Sequence, residues 1–137
     1  MIRPADRNDE TAIARLVAEL ASRATTEDLR ARFIRVLEHP EHRVWVFERA
    51  GSVAGFVHAF IRPALEKPLE VVVQSIVTDG TVRKEGIGRK LMEEVERWAA
   101  DSGYTSVALH TRNAAAFYRR LGYDEIAAPS FMRKVLR

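Results

Sequence analysis

The apolar positions of this chain change period several times between its two ends, and each change marks a new element. Ile2 to Pro4 reads as a short strand. Ile13, Leu16, Val17 and Leu20 then repeat at the i, i+3, i+4, i+7 spacing of a helix with one buried face. Leu29, Phe33, Val36 and Leu37 mark a second helix, opened by the capping pattern Thr25-x-x-Asp28 and stopped by Pro40. In RVWVFERAGSVAGFVHAFI two β-rich runs flank a Gly51-Ser52 turn, which predicts an antiparallel hairpin from Val44 to Ile61. LEVVVQSIVT is apolar at successive positions, so it predicts a strand covered on both faces and central in the sheet. A loop with two glycines follows, then a helix with Ile87, Leu91, Val95 and Trp98 on one side and a Glu93/Arg97 pair on the other. YTSVALH predicts a strand and NAAAFYRRLG a helix ended by Gly122, while YDEIAAPSFMRKVL predicts a last pair of short strands broken at Pro129. The order is β-α-α-β-β-β-α-β-α-β-β, an α/β chain built on one mixed sheet. Its 137 residues make a single domain, 1–137.

Composition narrows the function classes. Lys and Arg number 22 against 19 Asp and Glu, a net charge of +3. The acids are mixed with the arginines almost everywhere, so no basic face singles out nucleic acid as the partner. No apolar run approaches the roughly 20 residues of a bilayer span, so no membrane partner is expected. The opening MIRPADRND has no apolar segment to act as a signal, and the expected location is the cytoplasm. The absence of cysteine excludes disulfides, thiolate ligands and cysteine nucleophiles. His39, His42, His58 and His110 sit in different segments without ligand spacing, so no metal is expected.

The chemistry concentrates in RKEGIGRKL, Arg83 to Leu91. Glycines allow close backbone approach and unusual torsions, and a helix start offers unpaired N–H donors. Together they suit an anion, most often a phosphate. Arg83, Lys84, Arg89 and Lys90 add positive charge around it. Two glycines at the start of a good helix cost about 1 kcal/mol each against alanine, a cost that calls for a compensating function. The spacing lacks the G-x-x-x-x-G-K-[ST] frame of a Walker loop, and Leu91 stands where a dinucleotide fingerprint needs its third glycine. What remains is Arg83-x-x-Gly86-x-Gly88 between a central strand and an amphipathic helix.

With that signature, SIVTDGTVRKEGIGRKLMEEVERWA and VALHTRNAAAFYRRLGYDE resemble the two motif segments of the Gcn5-related N-acetyltransferases, the GNAT superfamily, and the resemblance spans nearly the whole chain. It implies the acyl-CoA N-acyltransferase fold, with a central strand pair splayed apart, and acetyl-CoA as cosubstrate. The pyrophosphate would lie on Arg83, Lys84, Glu85, Gly86, Ile87, Gly88, Arg89 and Lys90, and the pantetheine arm would pair with the backbone of Ile76, Val77 and Thr78. Tyr118 matches the family's tyrosine facing the sulfur, with Phe117 beside it as the expected core aromatic. The family's frequent proline and glycine are replaced by Gly80 and Lys84, and its helix-opening asparagine falls at Thr111 rather than Asn113.

The implied reaction is attack of an amine on a thioester, which needs a neutral amine and a base to take its proton. The family's strand glutamate aligns with Val72, which cannot accept a proton. Water-mediated deprotonation is therefore expected first and Glu70 second; Gln74 could orient a water, and His58 and His110 have suitable intrinsic pKa values. Glu27, Asp28, Glu66 and Glu70 border the expected acceptor side and favour a small cationic amine, in the manner of aminoglycoside acetyltransferases. A protein N-terminus or lysine is an alternative acceptor, and a non-catalytic acyl-CoA sensor is the rival class. A homodimer is expected from a sheet edge left open by the closing strands, with Phe131 and Met132 on it.

Overall fold

A computed structural model describes residues 1–20, 26–82, 85–127 and 130–136, without the side chains of residues 26 and 27. One five-stranded sheet organises the chain, in the order β1 (Ile2–Pro4), β2 (His42–Arg49), β3 (Ser52–Arg62), β4 (Glu70–Thr78), β5 (Val107–Leu109). The first four are antiparallel neighbours, while β4 and β5 run parallel. A parallel pair needs a crossover, supplied here by α3 (Ile87–Asp101). The hairpin forms as its alternation predicts, except that Ala50 and Gly51 make the turn; both have positive φ, at 51° and 77°.

Helices cover both faces of the sheet. α1 (Glu10–Leu20) and α2 (Thr26–Glu38) place Ile13, Leu16 and Phe33 against Val44, Val46, Phe56 and Val77. Leu20, expected on that buried face, is exposed, and Thr25 lies outside the described residues. On the other face α3 and the short α4 (Ala115–Arg120) pack Leu91, Met92, Val95 and Tyr118 against Val57, Ala59, Val71 and Val73. Gly55 permits the closest approach: a Cβ there would stand 2.9 Å from the Val77 carbonyl oxygen and 3.2 Å from Ile87 Cγ2. α3's outer face pairs differently from the expectation, Arg89 with Glu93 and Arg97 with Glu94.

Among the described residues the closing pair of strands does not form. Residues 124–127 and 130–136 carry no strand, and Ile126, Phe131, Met132, Val135 and Leu136 are exposed. A strand needs a partner edge, and β5 offers three residues instead of the seven suggested by YTSVALH. The alternating pattern of the tail is local; the hydrogen bonds that would make it a strand are not.

Candidate active site

Pairing between β4 and β5 lasts for three residues, Val71 to Val73 against Val107 to Leu109. β4 continues to Thr78, and beyond Val73 its β5-side edge meets no strand among the described residues. This is the expected splay. Between the freed edge, the start of α3 and α4 lies a cavity of about 830 Å³, walled by Ile76, Thr78, Gly88, Met92, Phe117 and Tyr118 among others.

A bulge aims the strand into it. His58 pairs with Ser75 and Ala59 with Val73, so Gln74 is an extra residue in β4. Before the bulge Val71 and Val73 face α3; after it Ile76 does, while Val77 turns to α1 and α2. Ile76 and Thr78 thereby line the cavity. The Val77 side chain is buried in the opposite core, which leaves only its backbone available to a ligand.

At the mouth, Gly86 takes φ 79° and caps α3 without a side chain, so the N–H groups of the first turn have no side-chain partner. Lys90 N–H makes the first intrahelical bond, to the Gly86 carbonyl at 3.1 Å. Gly88 is helical, contrary to the expectation that both glycines are conformationally special. A Cβ there would stand 3.6 Å from Phe117 Cζ and 3.9 Å from Thr78 Cγ2, ordinary contacts, so the protein's own packing does not demand glycine. What its bare backbone provides is an open stretch of cavity wall.

The expected cations separate. Arg83 and Lys84 lie outside the described residues. Arg89 lines the cavity with its Nε 3.0 Å from Glu93 Oε1. Lys90 and Glu85 face away, toward a second cavity of about 350 Å³; the Lys90 ammonium lies 5.7 Å from the Phe47 ring centroid and Glu85 pairs with Arg49. Sequence reading also missed Asp79, which pins the loop. Asp79 accepts from Thr81 N–H at 3.0 Å, Thr81 Oγ1 at 2.9 Å and Arg15 Nη1 at 2.8 Å, while Arg15 also donates to the Val53 carbonyl at 2.9 Å. The Thr81 backbone donor, followed by Arg15, brings the Asp79 carboxyl down to about 2. Asp-Gly-Thr after a strand is an Asx-turn signal that could have found it.

α4 sets the facing wall. Thr111 Oγ1 accepts from Ala114 N–H at 3.1 Å, so threonine closes the turn at the family's asparagine position. Gly122, with φ 96°, ends the helix and donates to the Arg119 carbonyl at 3.0 Å. Tyr118 is 8% exposed and Phe117 only half-buried, the reverse of the assignment that made Phe117 the core aromatic. Both line the cavity. Burial pushes the Tyr118 phenol up from its ordinary value, so it is protonated at neutral pH, and no side chain among the described residues bonds its hydroxyl.

Glu70 does not reach the cavity. It opens β4, six residues before Ile76 and therefore about 20 Å along the strand. Its carboxylate is held by Arg62 and by Ser106 Oγ at 3.0 Å. Val72 is buried, Gln74 is exposed at the bulge, and His110 is exposed just past β5. Glu93 and Glu96 of α3 do line the cavity, the first paired with Arg89 and the second accepting from Tyr123 Oη at 2.7 Å. Of the acids expected near the acceptor, Asp28 and Glu66 are exposed, and the side chain of Glu27 lies outside the described ones. Three of the four histidines, unrelated in sequence, meet on one face of the sheet: His42 Nδ1 is 2.8 Å from His58 Nε2, and the His39 ring centroid is 4.5 Å from that of His42. No group of three metal-binding side chains occurs among the described residues.

The Acetyltransferase (GNAT) family profile matches residues 11–123. The chain belongs to that family. Serotonin N-acetyltransferase 2, chloroplastic, of Oryza sativa subsp. japonica is 34% identical over 107 residues, 74% of this chain and 53% of the rice protein. Mouse N-alpha-acetyltransferase 80 is 35% identical over 67 residues, 49% of this chain and 21% of its own length. The chain thus spans about half or less of these curated relatives. Among solved structures, the aminoglycoside N-acetyltransferase AAC(6')-Iy in complex with CoA superposes with a TM-score of 0.85 at 20% identity, covering 98% of this chain and 93% of that one. A protein of Bacillus halodurans C-125 described as a transcriptional regulator gives 0.87 at 18% identity, over 98% and 99%. These likenesses establish the shared fold. The profile ends at Tyr123, three residues past the end of α4, the last helix or strand among the described residues. No helix among the described residues is long and apolar enough to cross a membrane.

Proposed function

We propose that this domain transfers an acetyl group from acetyl-CoA to the primary amine of a small molecule. The observation that carries the reading is the uncapped start of α3, with Gly86 and Gly88 opening on a cavity that the free edge of β4 and Tyr118 complete. First-turn N–H groups, with the helix dipole behind them, suit the pyrophosphate, and Arg89 can exchange Glu93 for it. The unpaired edge of Ile76, Val77 and Thr78 suits the amide groups of the pantetheine arm, which would add to the sheet like a strand. Arg83 and Lys84 supply further charge at the same loop, whereas Glu85 and Lys90 serve only through their backbone.

In the reaction the amine nitrogen forms a bond to the thioester carbon as the carbon–sulfur bond breaks. Tyr118, uncharged and with a free hydroxyl, donates to the departing sulfur. The amine's surplus proton leaves through water, because Glu70 stands at the far end of β4. The family relative named for serotonin and the structural neighbour named for aminoglycosides support a small amine as acceptor. A protein N-terminus, as in the name of the mouse relative, is the second acceptor class. Exposed Phe131 and Met132 support pairing of two copies through the tail, which light scattering at micromolar concentration would show as a dimer mass.

Calorimetric titration with acetyl-CoA, followed by thiol release with serotonin, spermidine, neamine and a peptide with a free N-terminus, tests the proposal. Binding with thiol release supports transfer. Binding without release from any of the four favours the sensor reading, for which the Glu70 carboxylate, held by Arg62 and Ser106 and outside the cavity lining, is the specific support.

A further inference from the structure

The acetyl-transfer reading sends the amine's proton into water, and the sheet offers a carrier for it on the face opposite the cavity. β4 parts from β5 after Val73, and the bulge at Gln74 sits at that point. Directly across the β3–β4 ladder, Ser75 is paired with His58. On this face Ser75 and His58 are both partly exposed, and Gln74 at the bulge beside them is exposed, which makes it a polar, reachable surface. On the other face Met92, Phe117 and Tyr118 line the cavity proposed for acetyl-CoA, which the cosubstrate would fill. An amine meeting a thioester at the parting of the strands therefore has the His58 side to approach from.

His58 is not isolated. Its Nε2 lies 2.8 Å from His42 Nδ1, and His42 is fixed by stacking on Phe60, with centroids 5.2 Å apart and planes at 14°. His39 abuts His42 edge-on, with its own Nδ1 accepting from Glu41 N–H at 3.1 Å. The charged and titratable groups acting on the pair are His39 and Glu41; the nearby β4 residues Ser75 and Gln74 are neutral, and α2 contributes Phe33, Val36 and Leu37 to this face.

We infer that His58 and His42 form a proton relay that accepts the amine's proton through a water molecule and delivers it to solvent. The relay balances without a buried imidazolium. His58 Nδ1 takes the proton from the water as His58 Nε2–H passes its own to His42 Nδ1, and His42 Nε2–H releases one to bulk water. Both rings begin and end neutral with their protons moved to the other nitrogen, and reset by tautomerisation. Burial and the neighbouring His42 push the His58 imidazole down to about 4, so it cannot store a proton at neutral pH, but it can pass one on when a partner takes the second ring proton at the same time.

The inference rests on acetyl transfer, and the test separates the two. His58→Gln, confirmed folded by matched thermal unfolding, should bind acetyl-CoA as tightly as the wild type. At pH 7 its kcat should fall by ~10²-fold with the best amine of the panel above, then recover as pH approaches the amine's own pKa. His42→Gln should show the same pH-dependent loss, by ~10-fold, because glutamine accepts the bond and cannot relay the proton. An unchanged kcat, or a loss by one factor at every pH, overturns the relay and leaves transfer standing. Wild-type protein that binds acetyl-CoA and acetylates no amine overturns transfer and the relay together. Should either variant fail to fold, ¹⁵N ring shifts of the wild type decide: His58 neutral at pH 7 with its proton on Nε2 supports the relay, and a proton on Nδ1 overturns it.

Discussion

The two halves of β4 share one strand and do opposite work. From Val71 to Val73 it is paired on both edges, and these side chains are 0%, 6% and 5% exposed. From Ile76 to Thr78 it keeps its β3 partner, loses β5, and borders a cavity. Full pairing satisfies every backbone group and supports the fold; half pairing leaves a row of donors and acceptors for a ligand. The closed half should respond to substitution in stability, and the open half with its glycine loop in binding and turnover.

The largest effect expected is from Gly88→Glu. The helix accepts the new backbone, since Gly88 is helical, but the carboxylate enters the cavity wall beside the proposed pyrophosphate site. Acetyl-CoA affinity should fall by more than ~10²-fold with the helical circular dichroism retained; undiminished affinity in calorimetry would remove the loop from the site. Tyr118→Phe comes next. It keeps the ring's packing and removes only the hydroxyl, so kcat should fall by ~10²-fold while acetyl-CoA affinity holds. Unchanged kcat, where chemistry limits turnover, leaves Tyr118 a packing residue.

On the closed half, Val71→Ala should lose about 2 kcal/mol of stability in urea unfolding, with acetyl-CoA affinity unchanged. A loss of affinity instead would show that the two halves are coupled. The smallest effect is set by pH. His58 has a folded pKa near 4 against an ordinary 6.5, so between those values the unfolded chain binds more protons and stability falls as pH falls. By pH 5 the wild type should lose about 1–2 kcal/mol more than His58→Gln, a difference that vanishes above pH 7.

How much of this was legible depended on whether the cause was local. Gly86, the face of α3 and the existence of the hairpin follow from spacing within a dozen residues, and the sequence pattern finds them; the hairpin's register it misses by one, since Ala50 and Gly51 make the turn. The Phe117/Tyr118 faces were misassigned because α4 is six residues long and which of its faces is buried is set by the non-local cluster of α3 and sheet residues that Tyr118 joins, with Phe117 packed at its margin. Glu70 was placed by strand alternation, which gives a face but no distance from the site. His39, His42 and His58 looked unrelated because the β2–β3 register and the loop before β2 bring them together. The tail strands were read from alternation alone, without a partner edge to receive them.

Gln74 makes β4 count differently on its two sides. Were Gln74 to take an ordinary place in the ladder, plain alternation from Val71 onward would bring Ser75 and Val77 to the α3 face and turn Ile76 and Thr78 toward α1 and α2. Set aside as an extra residue, it leaves Val77 in the opposite core and hands the cavity to Ile76 and Thr78. The strand behaves like a sentence into which one letter has been slipped: every word after it is read in a shifted frame, and the first words shifted are those that face the cavity.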